Sequence, residues 1–191
     1  NADIVVIYTN ATIIPRNDNL TCLKNKKVKL DITNYVNVGL SKNHDKLIEV
    51  LVANNIKYVT QIATTWSDSG TIKYRNLTEE KLIHQFQNCC VGDVLNLLNG
   101  KLYRCPFSAN AHNLNAIPFD SDDVIDLSEE GGDLKALRSK IESLYTRRGK
   151  KQYLTACAYC GGRDCTTPVV QAGVQAKTII PLPSLQLPAQ K

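Results

Sequence analysis

Methionine is absent from all 191 residues. Residue 1 is therefore not an initiator, and the expectation is that the chain is a piece of something longer. No run of apolar residues approaches the roughly eighteen a membrane-spanning helix needs, which excludes that class. The opening Asn-Ala-Asp leads straight into an apolar stretch with no basic segment and no cleavage site, so this opening segment is not expected to be a signal peptide. Aromatic residues are only 6% of the chain, and no face interleaves them with arginine. That argues against nucleic acid as a partner. No Gly-x-Ser-x-Gly, Walker or dinucleotide fingerprint is present, so hydrolase and nucleotide-loop chemistries have no local signature.

What the chain does have is enough apolar content, 43%, to build a core. It also has a net charge of +5 and seven cysteines. An odd cysteine count without a leader fits metal-bound thiolates in a reducing cytoplasm better than a disulfide framework. The basic run Arg147-Arg148-Gly149-Lys150-Lys151 reads as a solvated helix C-terminus, where cations complement the dipole. Asp122-Asp123 and Glu129-Glu130 read as solvated or capping charges. The Asn-x-Ser/Thr sequons at Asn10, Asn19 and Asn76 read as chance in a chain that is not exported.

The first third has α/β character. Ile4–Tyr8, Lys27–Thr33 and Lys57–Ala63 are strand-like runs. A helix between the last two carries Leu47, Ile48, Leu51 and Val52 on one face, with Ser41 as its N-cap and Asn54-Asn55 at its end. Strand, helix, strand in this order predicts a parallel pair with a right-handed crossover. A helical turn is expected near Leu20–Leu23, and a polar loop over 64–77. Thr78 caps the next helix, with Leu82, Ile83 and Phe86 inward, which leads to Cys89-Cys90. Val94–Tyr103 reads as a hairpin, because Asn99-Gly100 tolerates positive φ at both turn positions. Residues 106–132 read as irregular connection. A further helix is expected over Asp133–Arg147, and 178–191 as an extended tail.

Cys90 and Cys105 flank the hairpin at its open end, and Cys157 and Cys160 form a Cys-x-x-Cys. Two short-range thiol pairs brought together by folding suit a soft metal centre, zinc or iron–sulfur, and spacing alone does not separate the two. Cys89 competes with Cys90 for one position. Cys22 and Cys165 read as spectators. A redox dithiol is disfavoured, because Gly161-Gly162 follows the pair instead of a helix. His44 and His84 read as structural, and His112 as a residue near the cysteines.

The pattern Cys90-x9-Gly100-x4-Cys105 followed by Cys157-x2-Cys160 resembles the twitch domain of radical SAM enzymes, the shortened form of the SPASM domain. The resemblance implies one auxiliary [4Fe-4S] cluster held by Cys90, Cys105, Cys157 and Cys160. Tyr8-Thr9-Asn10-Ala11-Thr12 is similar to the Thr-Asn-Gly-Thr segment ending the third strand of the radical SAM partial barrel, with Ala11 in place of glycine. Asp31-Ile32-Thr33-Asn34-Tyr35 is similar to the fourth-strand segment. By that likeness Asn10, Thr33 and Asn34 approach S-adenosylmethionine. The defining Cys-x3-Cys-x2-Cys is absent, so this chain alone is not expected to cleave S-adenosylmethionine to a radical.

The resulting expectation is an α/β chain. Residues 1–77 are the later β/α units of a partial TIM-like barrel, 78–175 a small α+β cysteine-rich hairpin-and-helix domain with the cluster, and 176–191 a tail. The implied function is the C-terminal part of a radical SAM enzyme that abstracts hydrogen from a peptide, sugar or other small molecule. Its other partner would be the missing N-terminal barrel segment. The alternatives are a non-catalytic zinc-binding four-cysteine module that mediates protein interaction, and a metal-free interaction domain.

Overall fold

The computed structural model describes residues 2–128, 133–147, 149–163 and 168–173. It is a mixed α/β structure of three small sheets and five α-helices among those residues, and none of the sheets closes into a barrel. No described helix is long and apolar enough to cross a membrane. The chain divides into two compact units. The first runs up to Trp66 and resumes at Val169; the second runs from Ser67 to Pro168.

In the first unit, β1 (Val5–Thr9), β2 (Val28–Asn34) and β3 (Tyr58–Ile62) form a parallel sheet in the order β1-β2-β3. Their register aligns Ile7 with Leu30 and Ile32 with Thr60. α1 (Asn17–Leu23) and α2 (His44–Ala53) are the connections. Alternation in Val28–Asn34 turns Leu30 and Ile32 inward. Leu47 and Leu51, one helical turn apart, meet them from α2. Leu23, Ile56 and Ala11 complete this core. The short β4 (Thr65–Ser67) pairs with β8 (Val169–Gln171), where a polar loop was expected and which brings the chain back to this unit. Trp66 packs edge-on against Tyr35 at 5.9 Å and donates Nε1–H to the Tyr35 hydroxyl at 3.1 Å.

Ser41 does not cap α2, whose N-cap is Asn43. Its buried hydroxyl accepts from Tyr35 N at 2.7 Å and donates to the Asn10 carbonyl at 2.8 Å. It ties together the chain leaving β1 and the chain leaving β2, where ladder bonds have run out.

In the second unit, α3 (Glu79–Gln87) begins after Thr78 with Glu79 and Glu80 in its first turn, the favourable end for acids. β5 (Asn96–Leu98) and β6 (Lys101–Tyr103) form the expected hairpin; Asn99 and Gly100 have φ of 50° and 76°. Beyond it the expectation of irregular chain fails. α4 (Pro106–Asn113) follows Cys105 directly, and β7 (Val124–Asp126) adds a third antiparallel strand beside β6. Pro106 starts a helix here, at the position where proline's missing N–H costs nothing. α5 (Leu134–Thr146) is capped by the Asp133 carboxylate, which accepts from Lys135 N and Ala136 N.

The reading of the basic run and of Asp122-Asp123 as solvated is corrected at two positions. Arg147 and Asp123 are each 1% exposed and lie 3.0 Å apart as an ion pair. The Arg147 guanidinium also donates to the carbonyls of Lys151, Asp122 and Tyr153 at 2.9 Å each. Asp123 Oδ2 accepts from Thr155 N at 2.6 Å. An irregular stretch that cannot bond to itself is thus held by one buried cation and one buried anion. That stretch is the one that delivers Cys157 and Cys160. Arg148, Glu129, Glu130, Cys165 and the expected tail lie outside the described residues.

Candidate metal centre

Three elements of the second unit carry the thiols. Cys89 lies just past the C-terminus of α3. Cys105 is the N-cap of α4. Cys157 sits in a 3-10 turn, Thr155–Ala158, with Cys160 just beyond it. Gln85 on α3 holds that turn in place: its Nε2 donates to the Cys157 carbonyl at 3.0 Å and reaches the Cys160 carbonyl at 3.4 Å. Gly161 locks the far end, its N–H bonding to Ser69 O at 2.7 Å. A Cβ at Gly161 would stand 2.8 Å from that oxygen, so the close approach needs glycine.

Cys89, Cys105, Cys157 and Cys160 line one small cavity of about 30 Å³. Its walls are apolar, with Phe86, Phe107 and Leu154, and the same shell packs on a core of Ala111, Ile117, Ala156 and Tyr159. Of the residues expected as ligands, Cys105, Cys157 and Cys160 are brought together. Cys90 is exposed and does not line the cavity; its neighbour Cys89 does. The phase of α3 at its last turn decides between two adjacent thiols, and nothing in the residue types signals it. All four lining thiols are free. Among the described residues no three His, Cys, Asp or Glu side chains are set as ligands about one metal ion.

Electrostatics tie the thiols to one another. Burial pushes the Cys157 thiol up to about 12, with Cys105, Cys160 and Cys89 adding to the effect and a backbone hydrogen bond at Leu154 opposing it. Burial also raises Cys105, against backbone N–H groups of Phe107 and Ser108. Cys160 is raised chiefly by burial, while the Gly162 N–H, Arg75 and Arg163 pull it back. Gly162 N lies 3.4 Å from its sulfur. Backbone donors aimed at sulfur favour thiolates, but bare thiolates cannot crowd an apolar cavity without countercharge. A metal centre supplies that charge, and binding one would expel the thiol protons. Arg104 and Arg163 line the same cavity. The Arg104 guanidinium is buried, donates to Tyr145 O and Val94 O, and stacks 4.3 Å over the Tyr145 ring. Donor type and the backbone hydrogen bond at Cys160 suit thiolate ligands, while the described residues form no group set to hold a metal ion.

The other expected site residues lie in the first unit. Because β1 and β2 are parallel, Asn10, Thr33 and Asn34 sit at the same C-terminal edge of the sheet, the edge where open α/β sheets and barrels take ligands. Asn10 Oδ1 accepts from Thr12 Oγ1 at 2.8 Å, and Asn34 Oδ1 from Val36 N at 2.8 Å. Ala11, where the resemblance expects glycine, is fully buried at φ 57°. His112 packs between Tyr103 and Phe119, with ring centroids 5.8 and 5.3 Å away, and does not line the thiol cavity. Cys22 is exposed on α1.

Compared with protein-family models and with curated proteins, the chain matches none.

Proposed function

We propose that Cys89, Cys105, Cys157 and Cys160 hold one [4Fe-4S] cluster, with Cys89 in place of Cys90. On this reading the chain is the later part of a radical SAM enzyme. Residues up to Trp66 belong to its partial barrel, and Asn10, Thr33 and Asn34 face S-adenosylmethionine. The observation that carries the reading is the gathering of four thiols, from segments far apart in sequence, around one apolar cavity flanked by two guanidiniums. The parallel order β1-β2-β3 and the glycine-like backbone at Ala11 support the barrel half.

When bound, such a centre supplies one-electron chemistry, with every iron closed by a protein thiolate. This chain's own residues would do the rest. Phe86, Phe107 and Leu154 keep water from the sulfurs, Gly162 N–H bonds one of them, and Arg104 and Arg163 offset the negative charge. The substrate class, peptide or sugar, would be met by the whole enzyme.

Anaerobic purification with iron and sulfide analysis tests the assignment. The expected protein is brown, with about four irons and four sulfides per chain. Cys89→Ser is expected to lose them and Cys90→Ser to keep them. A colourless protein with one zinc per chain overturns the cluster, since zinc takes the same four thiolates. Iron retained by Cys89→Ser and lost by Cys90→Ser overturns the choice of ligand.

A further inference from the structure

Adjoining the thiol cavity through shared lining residues is a second, larger cleft of about 490 Å³, between α3 and the Gly161–Arg163 turn. Its volume is in the range of small-molecule sites. Glu80, Lys81 and His84 from α3 line it, opposite Arg163, while Gln85, Gly162 and Arg163 are shared with the thiol cavity. Arg163 Nε is buried and has no hydrogen-bond partner among the described residues. Arg163 itself lines the cleft, where an anion would meet its charge.

We infer that this cleft binds a monocarboxylate, an amino acid or the free C-terminus of a peptide, with Arg163 as its anchor. The guanidinium fork matches a carboxylate's two oxygens. Among the described lining residues, two cations against one carboxylate leave a single net positive charge with His84 neutral, which suits a monoanion and disfavours a phosphate dianion beside Glu80. Lys81 supplies the second cation, and Glu80 is placed to meet an amine. The inference does not rest on the cluster: the cleft and its charged lining are read from the protein's own residues.

The test is titration of the full chain, followed by amide NMR at Asn88, Gly161 and Gly162. The probes are N-acetyl-glycyl-alanine, its C-terminal amide and free alanine. The expected result is saturable shifts with the acid, none with the amide, and at least about tenfold weaker binding in Arg163→Gln, the loss of one charge-assisted contact. Lys81→Gln weakens binding less, and Lys42→Gln, on the other unit, leaves it unchanged. Arg163→Lys keeps the charge without the fork and falls between wild type and Arg163→Gln, which secures the test should the glutamine variant fold poorly. Tighter binding of the peptide than of alanine assigns a chain terminus, and the reverse a free amino acid. No binding by about 10 mM, a ligand weaker than ordinary small-molecule sites hold, overturns the inference. So does equal binding of acid and amide, or wild-type affinity in Arg163→Gln. A colourless protein that still binds the acid would sink the cluster and leave this site standing.

Discussion

The two units solve the same problem with different means. The first is held by periodicity: Leu30 and Ile32 alternate along β2, Leu47 and Leu51 recur along α2, and the four meet in a core free of charged side chains. The second has short strands and much irregular chain, and it is held by a smaller apolar core together with polar groups from distant segments. Arg147 and Asp123 pin the stretch before the Cys-x-x-Cys, and Gln85 pins the turn itself. Apolar patterning is enough where backbone groups bond to their own ladder. Where they do not, specific partners must be brought from elsewhere.

The largest effect is expected at the thiol cavity, where the proposed cluster would sit. Chelation of a metal-loaded protein, or Cys157→Ser, is expected to cost the second unit several kcal/mol, because a site assembled only by folding adds its binding energy to stability. The first unit should not change. Urea unfolding read by Trp66 fluorescence, which reports the first unit, alongside far-UV circular dichroism separates the two.

Next is Asp123→Asn, which leaves Arg147 buried and unpaired at an expected cost of about 3–5 kcal/mol. The double change Asp123→Leu with Arg147→Met is expected to recover little of that in denaturant melts, because the carbonyls of Lys151, Asp122 and Tyr153 and the N–H of Thr155 lose Arg147 and Asp123 as partners. In the first unit Leu47→Ala, at a fully buried site, should cost about 2–5 kcal/mol whether or not metal is present. Equal metal dependence of this variant and Cys157→Ser would erase the distinction between the units. Gly100→Ala is smaller, about 1 kcal/mol. Nothing crowds a Cβ there, so the whole cost is the positive φ.

The mildest effect is in acid. Burial alone would raise Asp120, but hydrogen bonds from Lys151, the Asp122 N–H and Thr155 outweigh it and hold the carboxyl at about 2. Its folded value lies below its unfolded one. The stability it contributes is therefore complete above about pH 4 and lost as pH falls toward 2. Asp120→Asn should flatten the urea midpoint between pH 4 and 2 and leave its value at pH 7 lower. A midpoint that falls as steeply as in the wild type would remove Asp120 from the account.

The parts of the fold that local chemistry specifies were legible in the sequence. The three parallel strands, the helix over 44–53 and the Asn99-Gly100 hairpin follow from apolar period and turn residues, and the structure has them with ends shifted by a residue or a few. α4 was missed because Pro-Phe-Ser-Ala-Asn-Ala-His-Asn carries no long apolar stripe. The usable signal was Pro106 itself, read as a breaker when it begins a helix. The Arg147–Asp123 pair was missed for another reason. Its partners are far apart in sequence, and each alone has the composition of a solvated charge. Cys105, Cys157 and Cys160, grouped by spacing, do line one cavity. That Cys89 lines it and Cys90 does not depends on where α3 stops turning, which neighbouring residue types do not encode.

The Gln85 clamp also sets an order of events. During synthesis Cys89 and Cys105 leave the ribosome together, with the hairpin that joins them, while the turn carrying Cys157 and Cys160 follows much later. Until that turn arrives, the amide on α3 has no carbonyls to grip, and only half of the sulfurs are in place. A chain cut short before residue 154 would keep its first core yet have nothing to close around the cavity. Closure of the cavity therefore waits on the last segment of the second unit.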